Sequence, residues 1–112
     1  MKIYCDSSTR EACIVIEGQD PIIVPYPEKV TNNVGEYRAV ILALEEARRP
    51  KLEQVELLTD SLLVANQVSG IWKCRQPHLK ALLAQVRILL METPNFVTWI
   101  PREENLAGKI LG

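Results

Sequence analysis

Val55-Glu56-Leu57-Leu58-Thr59-Asp60-Ser61 is the stretch on which the fold turns. It reads as a short strand that ends at Thr59, with Asp60-Ser61 opening a short helix. Upstream, Thr31-Asn32-Asn33 offers good N-cap residues for a helical pattern that runs to about Arg49 and stops at Pro50. Val34, Tyr37, Ile41 and Leu44, with Val40 and Ala47 beside them, form one apolar stripe along that helix. A helix feeding a strand in this way is a crossover, and right-handed crossovers join parallel strands.

Working outward, residues 2–5, 12–17 and 22–26 are β-rich runs, separated by Ser7 to Glu11 and by Gly18-Gln19-Asp20-Pro21. Such punctuation predicts an antiparallel meander, and Pro25, which lacks an amide donor, places the third strand at a sheet edge. Beyond Asp60-Ser61 a short helix is expected to end near Gly70. A second helix starts near Pro77 or His78, with Leu79, Leu82, Leu83, Val86 and Leu90 as its stripe. Phe96 to Ile100 is the last strand, followed by a short acidic-capped helix from about Glu103. Tyr37 and Trp99 read as core residues. The order β-β-β-α-β-α-α-β-α predicts an α/β fold with a five-stranded mixed sheet. If the 55–59 strand pairs with the first strand, Asp6 and Asp60 leave the sheet at the same edge, where open α/β sheets bind ligands.

With 112 residues, 47% of them apolar, the chain is expected to be a single domain over 1–112 with a real core. The 13 basic and 14 acidic residues leave a formal charge of −1, a mild argument against a nucleic-acid binder unless the basic groups cluster. Cys5, Cys13 and Cys74 show no paired or zinc-binding spacing, so Cys5 and Cys13 read as buried free thiols in a reducing cytosol. The start Met1-Lys2-Ile3-Tyr4-Cys5-Asp6 lacks a signal-peptide apolar region, and no apolar run is long enough for a membrane span. A cytoplasmic protein with no membrane partner is the expectation.

Taken singly, Asp6 reads as a turn aspartate, Asp60 as a helix cap, and Glu36 as a first-turn acid favoured by the helix dipole. Together they stand at element ends that the topology draws to one edge. Like charges about 4 Å apart repel by roughly 4 kcal/mol at an effective dielectric near 20, so such a cluster calls for a cation. Hard oxygen ligands select Mg²⁺ or Mn²⁺. Paired ions of this kind activate water and stabilise the leaving oxygen in phosphodiester displacement.

Asp6 after the first strand, Thr31-Asn32-Asn33-Val34-Gly35-Glu36-Tyr37, Thr59-Asp60-Ser61 and Trp99-Ile100-Pro101-Arg102-Glu103-Glu104-Asn105-Leu106-Ala107 occur in the order of the type 1 ribonuclease H signature, which the chain resembles over nearly its whole length. The resemblance implies a ribonuclease H-like fold and hydrolysis of the RNA strand of RNA–DNA hybrids. It makes Asp6, Glu36 and Asp60 catalytic metal ligands. It places Asn32 and Asn33 against the RNA minor groove, where contact with a 2′-hydroxyl distinguishes RNA from DNA. Helix capping explains the two asparagines equally well. Lys73 and Arg75, beside Trp72, fall where the family approaches the DNA strand, with solvated surface as the alternative. Arg102, inside the closing motif, is the better candidate for a phosphate.

Three departures stand out. Gly108 occupies the position of the family's fourth metal-binding acid, with Glu103 or Glu104 as candidate substitutes. Ser7 stands where a glycine is usual, before an unusually short connection to the second strand. His78 precedes a helix instead of sitting in a late loop near the site, which favours a surface or capping role. Three functions compete: a metal-dependent nuclease of reduced activity, a nucleic-acid-binding module without catalysis, and a structural domain.

Overall fold

Alternating burial of Ile3 and Cys5 along the first strand, and of Ala12, Ile14 and Ile16 along the second, gives the meander one face for a core. The computed structural model describes residues 1–48, 54–92 and 95–112. Its elements are β1 (Lys2–Ser7), β2 (Glu11–Ile16), β3 (Ile22–Pro25), α1 (Asn32–Arg48), β4 (Glu56–Thr59), α2 (Leu62–Ser69), α3 (Pro77–Glu92), β5 (Phe96–Trp99), a 3₁₀ turn (Arg102–Glu104) and α4 (Leu106–Leu111). The sheet is five-stranded and mixed, in the order β3-β2-β1-β4-β5. β1, β2 and β3 pair antiparallel, whereas β4 pairs parallel with both β1 and β5. Pro25 therefore lies on an edge strand, where no ladder bond is lost. The expected helix end at Arg49 and the stop at Pro50 fall outside the described residues.

The crossover sets the register that matters. Cys5 lies beside Thr59, and Thr59 beside Trp99, so the parallel pairing of β1, β4 and β5 ends at one level. The next residues on β1 and after β4 are Asp6 and Asp60. Above the sheet, Tyr37, Val40 and Leu44 of α1 join Leu79, Leu83 and Val86 of α3 in the core. Removing a core side chain such as Leu44 costs about 2–5 kcal/mol through lost transfer energy and the cavity left behind. The buried Tyr37 hydroxyl donates to Gln67 Oε1, so α1 is tied to α2 with its polar atom satisfied.

Two expectations are corrected at the C-terminal end. Trp99 is not core: 45% of it is exposed, because β5 is an edge strand and Trp99 is its final residue. The last helix is not capped by an acid at Glu103. Residues Arg102–Glu104 form a 3₁₀ turn, and Asn105 caps α4 by accepting from the Ala107 amide at 3.1 Å. The first amides of α4 have no carbonyl partner within the helix, and the short asparagine side chain supplies the acceptor they need better than glutamate does.

Candidate metal centre

Local capping frees Asp60 for the site. Ser61, not Asp60, is the N-cap of α2, with its Oγ accepting from Val64 N at 3.2 Å, and Gly70 closes the helix at φ 85°. Thr31 does the same for α1, accepting from Val34 N at 3.3 Å, so Asn32 and Asn33 enter the helix as its exposed first residues. Glu36 then lies one turn into α1, facing the end of β1. Its Oε1 accepts from Ser7 N at 3.2 Å.

Asp6, Glu36 and Asp60 each offer a carboxylate oxygen within 4.8 Å of the other two. Asp6 is only 3% exposed. Burial raises the Asp6 pKa from its ordinary value, and the Asp60 charge raises it further. Glu36 is pushed up to about 8, first by burial and then by Asp6 and Asp60, and its carboxyl hydrogen-bonds to Asp6. Directly beneath, burial holds the Cys5 thiol protonated, and the same three acids add to that effect. Glu36 thus favours its protonated form at neutral pH, because it is buried and crowded by two like charges. An oxygen-rich, crowded and under-neutralised donor set of this kind fits a hard divalent cation.

The acids open into a cleft of about 530 Å³ whose lining includes Ser7, Asn32, Ser61 and Arg102. Arg102 lies near enough to lower the Asp6 pKa by its charge. Asn33 is exposed but does not line this cleft. Glu103 and Glu104, the candidate substitute ligands, are exposed on the 3₁₀ turn and lie outside the carboxylate group found among the described residues. A Cβ built on Gly108 would come 3.3 Å from Asp6 Oδ2 and 3.6 Å from Asp60 Oδ2. Position 108 therefore faces the acids.

Ser7 has reshaped the wall beside Glu36. Its Oγ contacts the Tyr26 hydroxyl at 2.7 Å and donates to the Ser8 carbonyl at 2.6 Å, while Tyr26 donates to the Gly35 carbonyl at 3.1 Å. A Cβ at Gly35 would collide with Ser7 Oγ and touch the Ser8 carbonyl, so the extra bulk at position 7 is matched by its absence at position 35.

A larger cavity of about 740 Å³ lies at the far end of α2, walled by Trp72, Lys73, Arg75, Lys80, Ala84 and Arg87. Among the described residues no carboxylate lines it, so acid chemistry belongs to the smaller cleft. The structure thus brings Asp6, Glu36, Asp60, Asn32 and Arg102 together and sets Lys73 and Arg75 apart, along with the exposed His78. An eight-residue helix rises about 12 Å, which sets the scale of that separation. Two residues at the site escaped sequence reasoning. Trp99 Nε1 donates to the Asp60 carbonyl at 3.2 Å, and Asn105 Nδ2 donates to Asp60 Oδ2 at 3.1 Å. The cap position of Asn105 is legible, but its bond to an acid 45 residues away is not.

Residues 10–111 match the family model described as reverse transcriptase-like. A ribonuclease HI of Halobacterium salinarum is 38% identical over 93 residues, covering 82% of this chain and 44% of that protein. A bifunctional protein of Mycobacterium tuberculosis is 37% identical over 78 residues, covering 69% of this chain and 21% of that protein. The chain thus spans less than half the length of these relatives. Among solved structures, the RNase H1 of Halobacterium salinarum superposes with a TM-score of 0.85 at 29% identity, covering 98% of this chain and 92% of that one. LC11-RNase H1 in complex with an RNA/DNA hybrid gives 0.79 at 28% identity, with 99% of both chains covered. The match over 10–111 and the shared five-stranded sheet establish that the chain belongs to the reverse transcriptase-like family and has a ribonuclease H-like fold.

Proposed function

We propose that this chain is an endonuclease that hydrolyses the RNA strand of RNA–DNA hybrids, using Mg²⁺ or Mn²⁺ held by Asp6, Glu36 and Asp60. The observation that carries this reading is the convergence of those three carboxylates, from β1, α1 and the end of β4, within 4.8 Å in one open cleft. A divalent cation bound there supplies charge neutralisation and activates water for in-line attack on a phosphodiester. Asn32 contacts the RNA 2′-hydroxyl side, a reading supported by its exposure at the start of α1 on the cleft wall, with Asn33 beside it on the surface. Arg102 positions the phosphate near the acids by its charge. Lys73 and Arg75, in the basic cavity beyond α2, receive the DNA strand. The complex of LC11-RNase H1 with an RNA/DNA hybrid supports this choice of substrate.

Gly108 stands where the family's fourth acid is expected. Losing one ligand weakens the second cation more than the first, so activity is slow and favours Mn²⁺. The same observation supports a second reading, a hybrid-binding module without catalysis. Cleavage of a labelled RNA–DNA hybrid separates the two: the wild type cuts with Mn²⁺ and Asp60→Asn does not. Absence of cleavage with either ion at high protein concentration overturns the nuclease, and retained hybrid binding then favours the binding module.

A further inference from the structure

Asn105 is completely buried, and all three of its side-chain hydrogen bonds go to different elements. Oδ1 accepts from Ala107 N at 3.1 Å and starts α4, while Nδ2 donates to the Cys5 carbonyl of β1 at 3.0 Å and to Asp60 Oδ2 at 3.1 Å. Both amide hydrogens are thereby used. A helix cap requires only the oxygen. Serine, aspartate and asparagine cap about equally well, but only an amide can accept from α4 while donating to β1 and to a carboxylate. Trp99 Nε1 holds the backbone of the same residue through the Asp60 carbonyl.

We propose that Asn105 is a positioning residue for Asp60, locking its carboxylate to β1 and α4 so that it faces the cleft in a fixed orientation. The need arises at Gly108, which offers no side chain at a point 3.3 Å from Asp6 Oδ2 and 3.6 Å from Asp60 Oδ2. With no side chain at position 108 to restrain it, the Asp60 carboxylate depends on the amide for its direction. Repulsion from the neighbouring Asp6 turns it outward when the amide is absent. The inference rests on the reading of Asp60 as a cation ligand.

Asn105→Ser tests it, because serine keeps the capping oxygen and removes the donor. A crystal structure of the metal-free variant is expected to show Asp60 rotated by more than about 30° from its position in the wild type. Calorimetric titration is expected to show Mn²⁺ bound roughly tenfold more weakly, the scale seen when a ligand's hydrogen-bond partner is lost. An unmoved Asp60 with unchanged Mn²⁺ affinity, and a loss confined to the thermal midpoint, overturns the idea and leaves Asn105 as a cap. Should Asn105→Ser fail to fold, the side-chain amide protons of Asn105 in Asp60→Ala decide the matter by NMR. One of them shifts if the bond exists in solution, and neither shifting overturns it. If the wild type neither cuts hybrid nor binds Mn²⁺, the proposed function fails, while the Asp60 orientation and the amide shift still judge this inference.

Discussion

Replacing Gly108 by aspartate sets a fourth carboxylate against the other acids, and the structure gives the cost. The new Cβ would lie 3.3 Å from Asp6 Oδ2 and 3.6 Å from Asp60 Oδ2, so the added charge starts within close range of two others. Each such pair repels by about 4 kcal/mol at an effective dielectric near 20, a ceiling that the open cleft lowers by solvent screening. Leaving glycine within a helix returns about 0.5–1 kcal/mol, so the net loss in metal-free protein above pH 8 is about 2–4 kcal/mol. At about 4 °C per kcal/mol for a domain of this size, the thermal midpoint in EDTA falls by roughly 8–16 °C. Gly108→Ala is the control, since it adds the carbon without the charge. Saturating Mn²⁺ offsets much of that loss, because a cation bound only by the folded state stabilises it by about 3 kcal/mol at a hundred times its dissociation constant. Gly108→Asp then shows the larger Mn²⁺-dependent rise in midpoint and the faster hybrid cleavage. Equal midpoints for the alanine and aspartate variants, with equal responses to Mn²⁺ and unchanged cleavage, would refute the claim that position 108 faces the acids.

Metal-free protein is expected to lose stability as pH rises, because Glu36 titrates near 8 when folded against 4.5 in its ordinary state. The contribution is fully present below 4.5 and is lost as pH passes through about 8, and Glu36→Gln flattens that profile in a series of melts. Gly35→Ala destabilises by about 1–3 kcal/mol through overpacking against Ser7, measured by urea unfolding, and the double variant with Ser7→Gly recovers most of the loss. Charge reversal at Lys73 and Arg75 weakens hybrid binding and lowers its salt dependence by about one unit of slope per lost phosphate contact, with a salt-independent loss pointing to packing instead.

The sequence by itself determined the element order, because each element announces its own ends. Alternation marks β1 and β2, Thr31 supplies a capping oxygen, Asp60-Ser61 opens α2, Gly70 gives a left-handed stop, and Pro25 an edge. Since right-handed crossovers join parallel strands, that order also brought Asp6 and Asp60 to one sheet edge, and Glu36 followed from the start of α1. What chain order cannot express is which neighbour a side chain meets across the fold. Trp99 has the pattern of a core residue, yet its strand has no partner on one side, so the ring is half exposed and its nitrogen reaches Asp60. Asn105 reads as a cap, and only the docking of α4 against β1 turns its amide onto Cys5 and Asp60. Gly108 could be read as a missing acid, but that its Cβ position points at Asp6 and Asp60 was decided by how α4 packs. Local hydrogen bonding and periodicity are written in neighbouring residues, whereas the direction of a carboxylate is set by contacts between residues far apart in the chain.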